Sequence, residues 1–413
     1  MNSGDTAWLL TSAALVLFMT VGLAFFYGGL EPRRNVLHML MMNFFTISIV
    51  TVVWSLIGFT LAFGPDVGGG FIGNLHYAAL TNMNGVWPGT HIPKLVFMAY
   101  QMMFAIITPA LVSGALAGRL KFQAWIAFCI GWSLIAYPLI AHWLFDPSGW
   151  LYVMGARDFA GGAVVHASAG FSAIVMVLLL GPRAKRAADA YMPHNVPLVL
   201  LGAGILWFGW FGFNAGSALG ADQLAANAFT ATQLAAASAS IVWVLMEQAF
   251  TGKMTVVGLA TGGVVGLATV TPASGFIGPM PALAVGAIAG VVCYMATRVA
   301  KKFPRFDDSF DVVSCHGIGG FLGILLLGVF ADYASNPSGL TGSTGGHIKG
   351  LIFGNAALLG HQVIAVLSVI ALCMAVTYVL GIIIKATIGL RVDEPEEVTT
   401  GLNIAFDPVP YEV

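Results

Sequence analysis

Two histidines sit in matching frames. Asp158, seven residues, His166, three residues and Gly-Phe make up "DFAGGAVVHASAGF", and Asp308 and His316 repeat the pattern 150 positions later in "DSFDVVSCHGIGGF". A neutral imidazole carries one donor and one acceptor, and it can take up and hand on a proton near neutral pH. Burying such a group in a glycine-rich apolar run is costly, and intramembrane ionisable residues usually mark a pathway. Eight helical residues rise about 12 Å, so neither aspartate can share a metal ion with its histidine; helical ligand pairs sit at i, i+4. No metal or cofactor is expected. The simplest role for Asp308 is to cap its helix by accepting from orphan N–H groups. For Asp158, stabilising a cation stands beside capping.

The chain that holds these residues has 413 of them, 58% hydrophobic and 8% charged. Soluble domains carry about 25% charged residues, so this is read as a polytopic membrane protein of the all-α class. About 20 mainly apolar residues are needed per crossing. Eleven transmembrane helices follow, near 8–30, 36–64, 95–118, 122–145, 160–181, 196–219, 226–250, 255–275, 278–299, 311–332 and 355–387. The 65–94 and 333–354 loops are the longest connections, and neither is long enough for a second domain. Residues 1–390 form the membrane domain and 391–413 a tail. The four cysteines, Cys129, Cys293, Cys315 and Cys373, lie in apolar runs without metal spacing and are read as free thiols. "MNSGDTAW" has no basic n-region, so no cleavable signal peptide is expected.

Basic residues set the orientation. With the N-terminus outside, outer segments hold only Lys94, Arg157 and Lys349, and the other 14 of the 17 Lys and Arg face the cytoplasm. The C-terminus is then cytoplasmic, and the membrane is the cell (inner or plasma) membrane. The two Asp-x7-His stretches open spans five and ten. Five is odd, so spans 1–5 (8–181) and 6–10 (196–332) run oppositely, the outline of an inverted repeat with its site near the midplane. A long eleventh helix stands outside the repeat. Each histidine climbs about 12 Å from an opposite face, against a half-thickness of about 15 Å. His166 and His316 are therefore expected to meet near the bilayer centre.

Six further stretches make the chain recognisable: "FFYGGL" (25–30), "DFAGGAVVH" (158–166), "PHNVPLVLLGAGILWFGWFGFNAGSA" (193–218), "TPASGFI" (271–277), "DVVSCHGIGG" (311–320) and "GLRV" (389–392). With them the chain resembles the ammonium transporter/methylammonium permease/Rh superfamily, on its microbial transporter branch, from about residue 8 to 400. The resemblance implies a homotrimer with one narrow pore per subunit. It implies that His166 and His316 line the pore centre and that Phe104 and Phe213 form a phenylalanine gate. Ser217, Phe104, Phe145 and Asp158 would recruit ammonium outside, and Phe26 and Tyr27 would line the pore on the cytoplasmic side. An aromatic face contributes roughly 0.5–2 kcal/mol to holding a cation. A dry pore then favours the neutral base, because a charge at the bilayer centre costs several kcal/mol.

Two stretches depart from the family pattern. Its outer site has a tryptophan in H-x-x-W-G-G-G, where this chain reads "AHWLFDPSGW" with Phe145 at that place; Phe145, Trp143 or Trp150 could complete the site. In the tail, "GLNIAFDPVPYEV" has Asn403 for an aspartate and lacks an HGE stretch, so binding of a PII-type signal protein in the usual manner is not expected. The run "DEPEE" (393–397) is read as solvated. The expected function is electrogenic ammonium or ammonia transport, with ammonium recruited outside and deprotonated before conduction. An ammonium sensor of the same fold and an Rh-like neutral gas channel are the alternatives. No enzyme activity and no nucleic-acid partner are expected: there is no nucleophile–base set, and "GPDVGGGFIG" (64–73) lacks phosphate-loop spacing.

Overall fold

The structure, a computed structural model, describes residues 1–184, 192–342 and 345–406. Lys185, Arg186 and the last seven residues of the tail lie outside the described residues. Among the described residues, ten helices are long and apolar enough to cross a membrane. We number the spans α1 Ser3–Leu30, α2 Arg33–Phe63, α3 Lys94–Ala115, α4 Phe122–Phe145, α5 Gly162–Leu180, α6 Val196–Gly216, α7 Gln223–Thr251, α8 Val256–Val270, α9 Pro279–Ala300, α10 Val313–Phe330 and α11 Ala357–Thr387. Among the described residues the only β pairing is a handful of isolated bridges. The chain is an all-helical, multi-pass membrane protein.

Helix starts follow the sequence. Asn2, Asn195, Asp222 and Thr255 each precede an apolar run, and each side chain accepts a backbone N–H of the first turn of α1, α6, α7 or α8. Such caps contribute about 1 kcal/mol apiece. The helix α8 is the short one, at 15 residues, or about 22 Å of rise. Its crossing is completed by the buried turn Thr271–Ile277. Irregular backbone at that depth is tolerated because protein surrounds it: Pro272 O accepts from Phe159 N at 3.1 Å, and Asn227 Nδ2 donates to Ile277 O at 2.9 Å.

Helices α1 and α6 pack intimately. A Cβ at Gly202 would sit 2.2 Å from the backbone N of Phe26, so only glycine admits this approach, as at other small-residue faces in lipid. On the side with α1's C-terminal end, Arg183 clasps Asp307 through two nitrogens at 2.9 and 2.7 Å. That pair ties the loop after α5 to the loop before α10. It holds the Asp307 carboxyl down at about 2 against the rise that burial alone would cause.

The tail corrects one expectation. Asp393, Glu394 and Glu396 are exposed, but Glu397 is buried. Its carboxylate takes two guanidinium nitrogens of Arg391, at 2.8 and 2.9 Å, and the amide of Ala184 at 2.7 Å. A paired, hydrogen-bonded carboxylate tolerates burial that a free one would not. Asn403 is likewise engaged, accepting from Leu37 N at 2.8 Å and donating to Arg33 O at 2.9 Å.

Candidate functional site

Both histidines ride on π-helical turns, Gly162–Ala167 and Val313–Ile318. Such turns often mark functional positions. Here His166 N reaches back five residues to Gly161 O at 3.1 Å. Their Nδ1 atoms face each other at 3.3 Å, and the rings lie 5.3 Å apart at 24°. The spacing argument placed them together, and the structure does so. One proton serves two facing nitrogens: whichever Nδ1 donates, the other must accept, so the two rings hold opposite tautomers. His166 also stacks on Trp210 at 5.2 Å, and its Nε2 is buried without a partner.

Above the pair, Phe104 and Phe213 stack at 4.2 Å and 26°, at 1% and 0% exposure. Phe213 lies 5.9 Å from His166. The aromatic plug therefore rests directly on the first imidazole. Beyond it opens a cavity of about 380 Å³ whose walls include Phe145, Phe104, Asp158 and Ser217. On the opposite side a cavity of about 170 Å³ is lined by His316, Phe26, Tyr27 and Asp311. The residues singled out in the sequence thus line two cavities or, as Phe213 and His166 do, the packed stretch between them.

The three candidate outer aromatics occupy different places. Phe145 borders the cavity and meets Phe104 edge to face at 6.4 Å. Trp143 instead donates to Phe71 O at 3.0 Å, and Trp150 stacks on Phe71 at 5.6 Å. Both tryptophans anchor the 65–94 loop. An indole does reach the cavity wall, but it is Trp87 of that loop, stacked on Phe97 at 4.1 Å. Nothing near Trp87 in sequence signalled this, because the contact spans a loop rather than a helix period.

Tyr100 was also missed. Its hydroxyl lies 2.8 Å from Phe213 O and 3.1 Å from Ser217 Oγ. Ser217 donates its own proton to Phe213 O at 2.9 Å. With its proton committed to a carbonyl, the Ser217 oxygen is left as an acceptor, the polarity that a cation with N–H donors needs. The signal was available: Tyr100 and Phe104 are i, i+4 on α3 and share a face.

The two aspartates cap unequally. Asp158 accepts four amides, Gly161 and Gly162 on Oδ1 and Ala163 and Val164 on Oδ2, at 2.7–3.1 Å. Asp308 accepts Val313 N at 2.7 Å, and its Oδ1 is buried without a partner. Burial, and then the neighbouring Asp311 carboxylate, push Asp308 up to about 7, although the amides it caps pull the other way. Since 7 lies above the ordinary carboxylate value, the folded protein keeps a proton there that an unfolded chain releases near pH 4. This group's contribution to stability is present at acid pH and falls as pH rises from about 4 to 7. We expect a carboxyl infrared band that titrates near pH 7 and disappears in Asp308→Asn; a band titrating near pH 4 would contradict the burial argument.

Comparison with known proteins follows the same line. The profile described as the Ammonium Transporter Family matches residues 7–406. The "Ammonium transporter" of Aquifex aeolicus is 44% identical over 96% of this chain and 91% of its own. Among solved structures, Saccharomyces cerevisiae Mep2 superposes with a TM-score of 0.88 at 32% identity, over 96% of this chain and 89% of its own. A structure described as "Sensor Amt Protein" superposes with 0.88 at 29% identity, over 98% of both chains.

Proposed function

From the premise that the chain belongs to the ammonium transporter family, a family of transporters and not of enzymes, we propose that it moves ammonium across the cell membrane through the line of residues described above. The observation that carries this reading is the buried His166–His316 pair, sealed from the outer cavity by Phe104 and Phe213.

Ammonium is recruited in the outer cavity, where Phe145 and Phe104 offer aromatic faces and Ser217 an acceptor oxygen. Asp158 adds negative charge to that wall. Its four amide bonds make it a fixed charge rather than a direct ligand, since each oxygen already holds two hydrogen bonds. Hydrated sodium or potassium gains nothing from the phenylalanine plug, and neither can shed a proton. Ammonium can. The neutral base crosses the plug, and the proton travels separately by way of the facing imidazoles, so net charge moves. The base leaves past Phe26 and Tyr27 into the inner cavity.

The N-terminus and the outer cavity face outward, the tail faces the cytoplasm, residues 1–390 form the transport domain, and the working unit is a homotrimer in the bilayer. The orientation rests on the asymmetry of basic residues, and the trimer on family membership. Asn403 is held by the first turn of α2, with one N–H and its oxygen engaged, and the tail lacks the HGE stretch, so a PII-type partner is not expected to bind in the usual manner. The test is an ammonium jump on purified protein in liposomes with charge readout, against matched sodium and potassium jumps. Ammonium-specific current supports transport. Ammonium binding without flux would favour the sensor of the same fold, and uncharged ammonia influx the gas channel.

A further inference from the structure

The outer cavity holds a polar side chain with no partner. Gln101 follows Tyr100 and precedes Phe104 by three residues on α3, so it points to the same face as the plug. It borders the cavity at 8% exposure. Its amide makes no hydrogen bond to any described residue, and Oε1 is wholly covered. A buried amide without partners is unfavourable unless something supplies them. On its own helix Phe104 is stacked on Phe213, and the Tyr100 hydroxyl is committed to Phe213 O. The cavity that Gln101 borders is where a partner can enter.

We propose that Gln101 is a cation-binding and specificity residue of the outer cavity, its amide oxygen accepting an N–H of ammonium beside Ser217. This rests on the reading of that cavity as the recruitment site and adds a ligand to it. Ammonium brings four donors and no acceptor, whereas aromatic faces satisfy donors weakly. A carbonyl oxygen is therefore the group whose pairing it improves most. A half-turn of the terminal amide exchanges Oε1 and Nε2 at nearly unchanged shape, so the oxygen can be turned to the cavity without moving α3. Each methyl group on the substrate removes one N–H donor, so Gln101 favours ammonium over methylammonium.

The experiment compares wild type, Gln101→Met and Gln101→Glu in liposomes, measuring current against ammonium and against methylammonium. Methionine keeps the length and removes the acceptor. It is expected to raise the half-saturating ammonium concentration about tenfold, to leave the maximal current within about twofold, and to shrink the preference for ammonium over methylammonium. Glutamate keeps the acceptors and is expected to match or better the wild-type half-saturation. Unchanged half-saturation and preference in Gln101→Met would overturn the proposal, as would a loss of maximal current alone. If the methionine variant does not fold, Gln101→Glu decides: a half-saturation raised above wild type overturns it. If the wild type itself carries no current, the transport reading fails. Calorimetric ammonium chloride titration of the same proteins then judges Gln101 separately: weaker binding in Gln101→Met supports it and equal binding overturns it.

Discussion

Gly170→Ala is expected to abolish ammonium-driven current by forcing the two histidines apart. Gly170 lies one turn beyond His166 on α5. A Cβ there would sit 2.2 Å from both the Cα and the N of Gly317, the residue after His316. Carbon atoms rest at about 3.5–4.0 Å, and backbone cannot swing aside as a side-chain tip can. Helices α5 and α10 must separate by about 1.5 Å. The Nδ1–Nδ1 contact, already at 3.3 Å, would then exceed hydrogen-bond range. Overpacking of this kind costs about 1–3 kcal/mol, enough to lower the melting temperature without preventing insertion. Gly360→Ala on α11 is the control, because a Cβ there meets nothing within 4 Å. Full current in Gly170→Ala would show that the close approach of the helices is dispensable.

The second large effect is on folding. Asp158→Ala leaves four amides at the start of α5 without acceptors, in a place where the aspartate itself is 6% exposed. One lost cap costs about 1 kcal/mol, and each buried orphan about 1–3 kcal/mol. These terms are not additive, and a loss on the order of 4 kcal/mol is reasonable, given that proteins hold only about 5–15 kcal/mol in reserve. Little folded protein should be recovered. Asn is nearly as poor a replacement: its NH₂ would face two N–H donors, Ala163 and Val164, where Oδ2 now accepts both. Thermal melting and yield of Asp158→Ala and Asp158→Asn check this. If Asp158→Asn melted like wild type and lost only ammonium affinity, the carboxylate would act chiefly as a field on the cation and not as a cap.

The sequence carried the membrane class and the meeting of the histidines because both rest on simple lengths: about 20 residues per crossing, and eight residues from a cap to a ring. Hydropathy also placed the eighth crossing at 255–275, although its last part is a buried turn; apolar composition reports depth and not helicity. What spacing could not show is the π geometry around His166 and His316, since one extra residue within a hydrogen-bonded turn leaves no compositional mark. The outer cavity was half legible. Phe145 follows from its place after His142, whereas Trp87 arrives through a long loop that no helical period describes. Tyr100 and Gln101 were within reach, four and three residues before Phe104. Polar residues on a pore-facing stripe read as ordinary helix composition until a cavity gives them something to face. Glu397 was misread because a run of acids suggests water, and only the fold reveals that Arg391 waits for one of them.

The most direct test of the histidine path is the ammonium-jump current of His166→Ala beside wild type in the same liposomes. Proton movement is followed by an internal pH dye, and sodium jumps set the background. Loss of the ammonium-specific current in the variant, with ammonium binding in the outer cavity retained, is the expected result. An undiminished current, with charge still moving for each ammonium, would show that the proton does not travel by the imidazole pair and would contradict the proposed path.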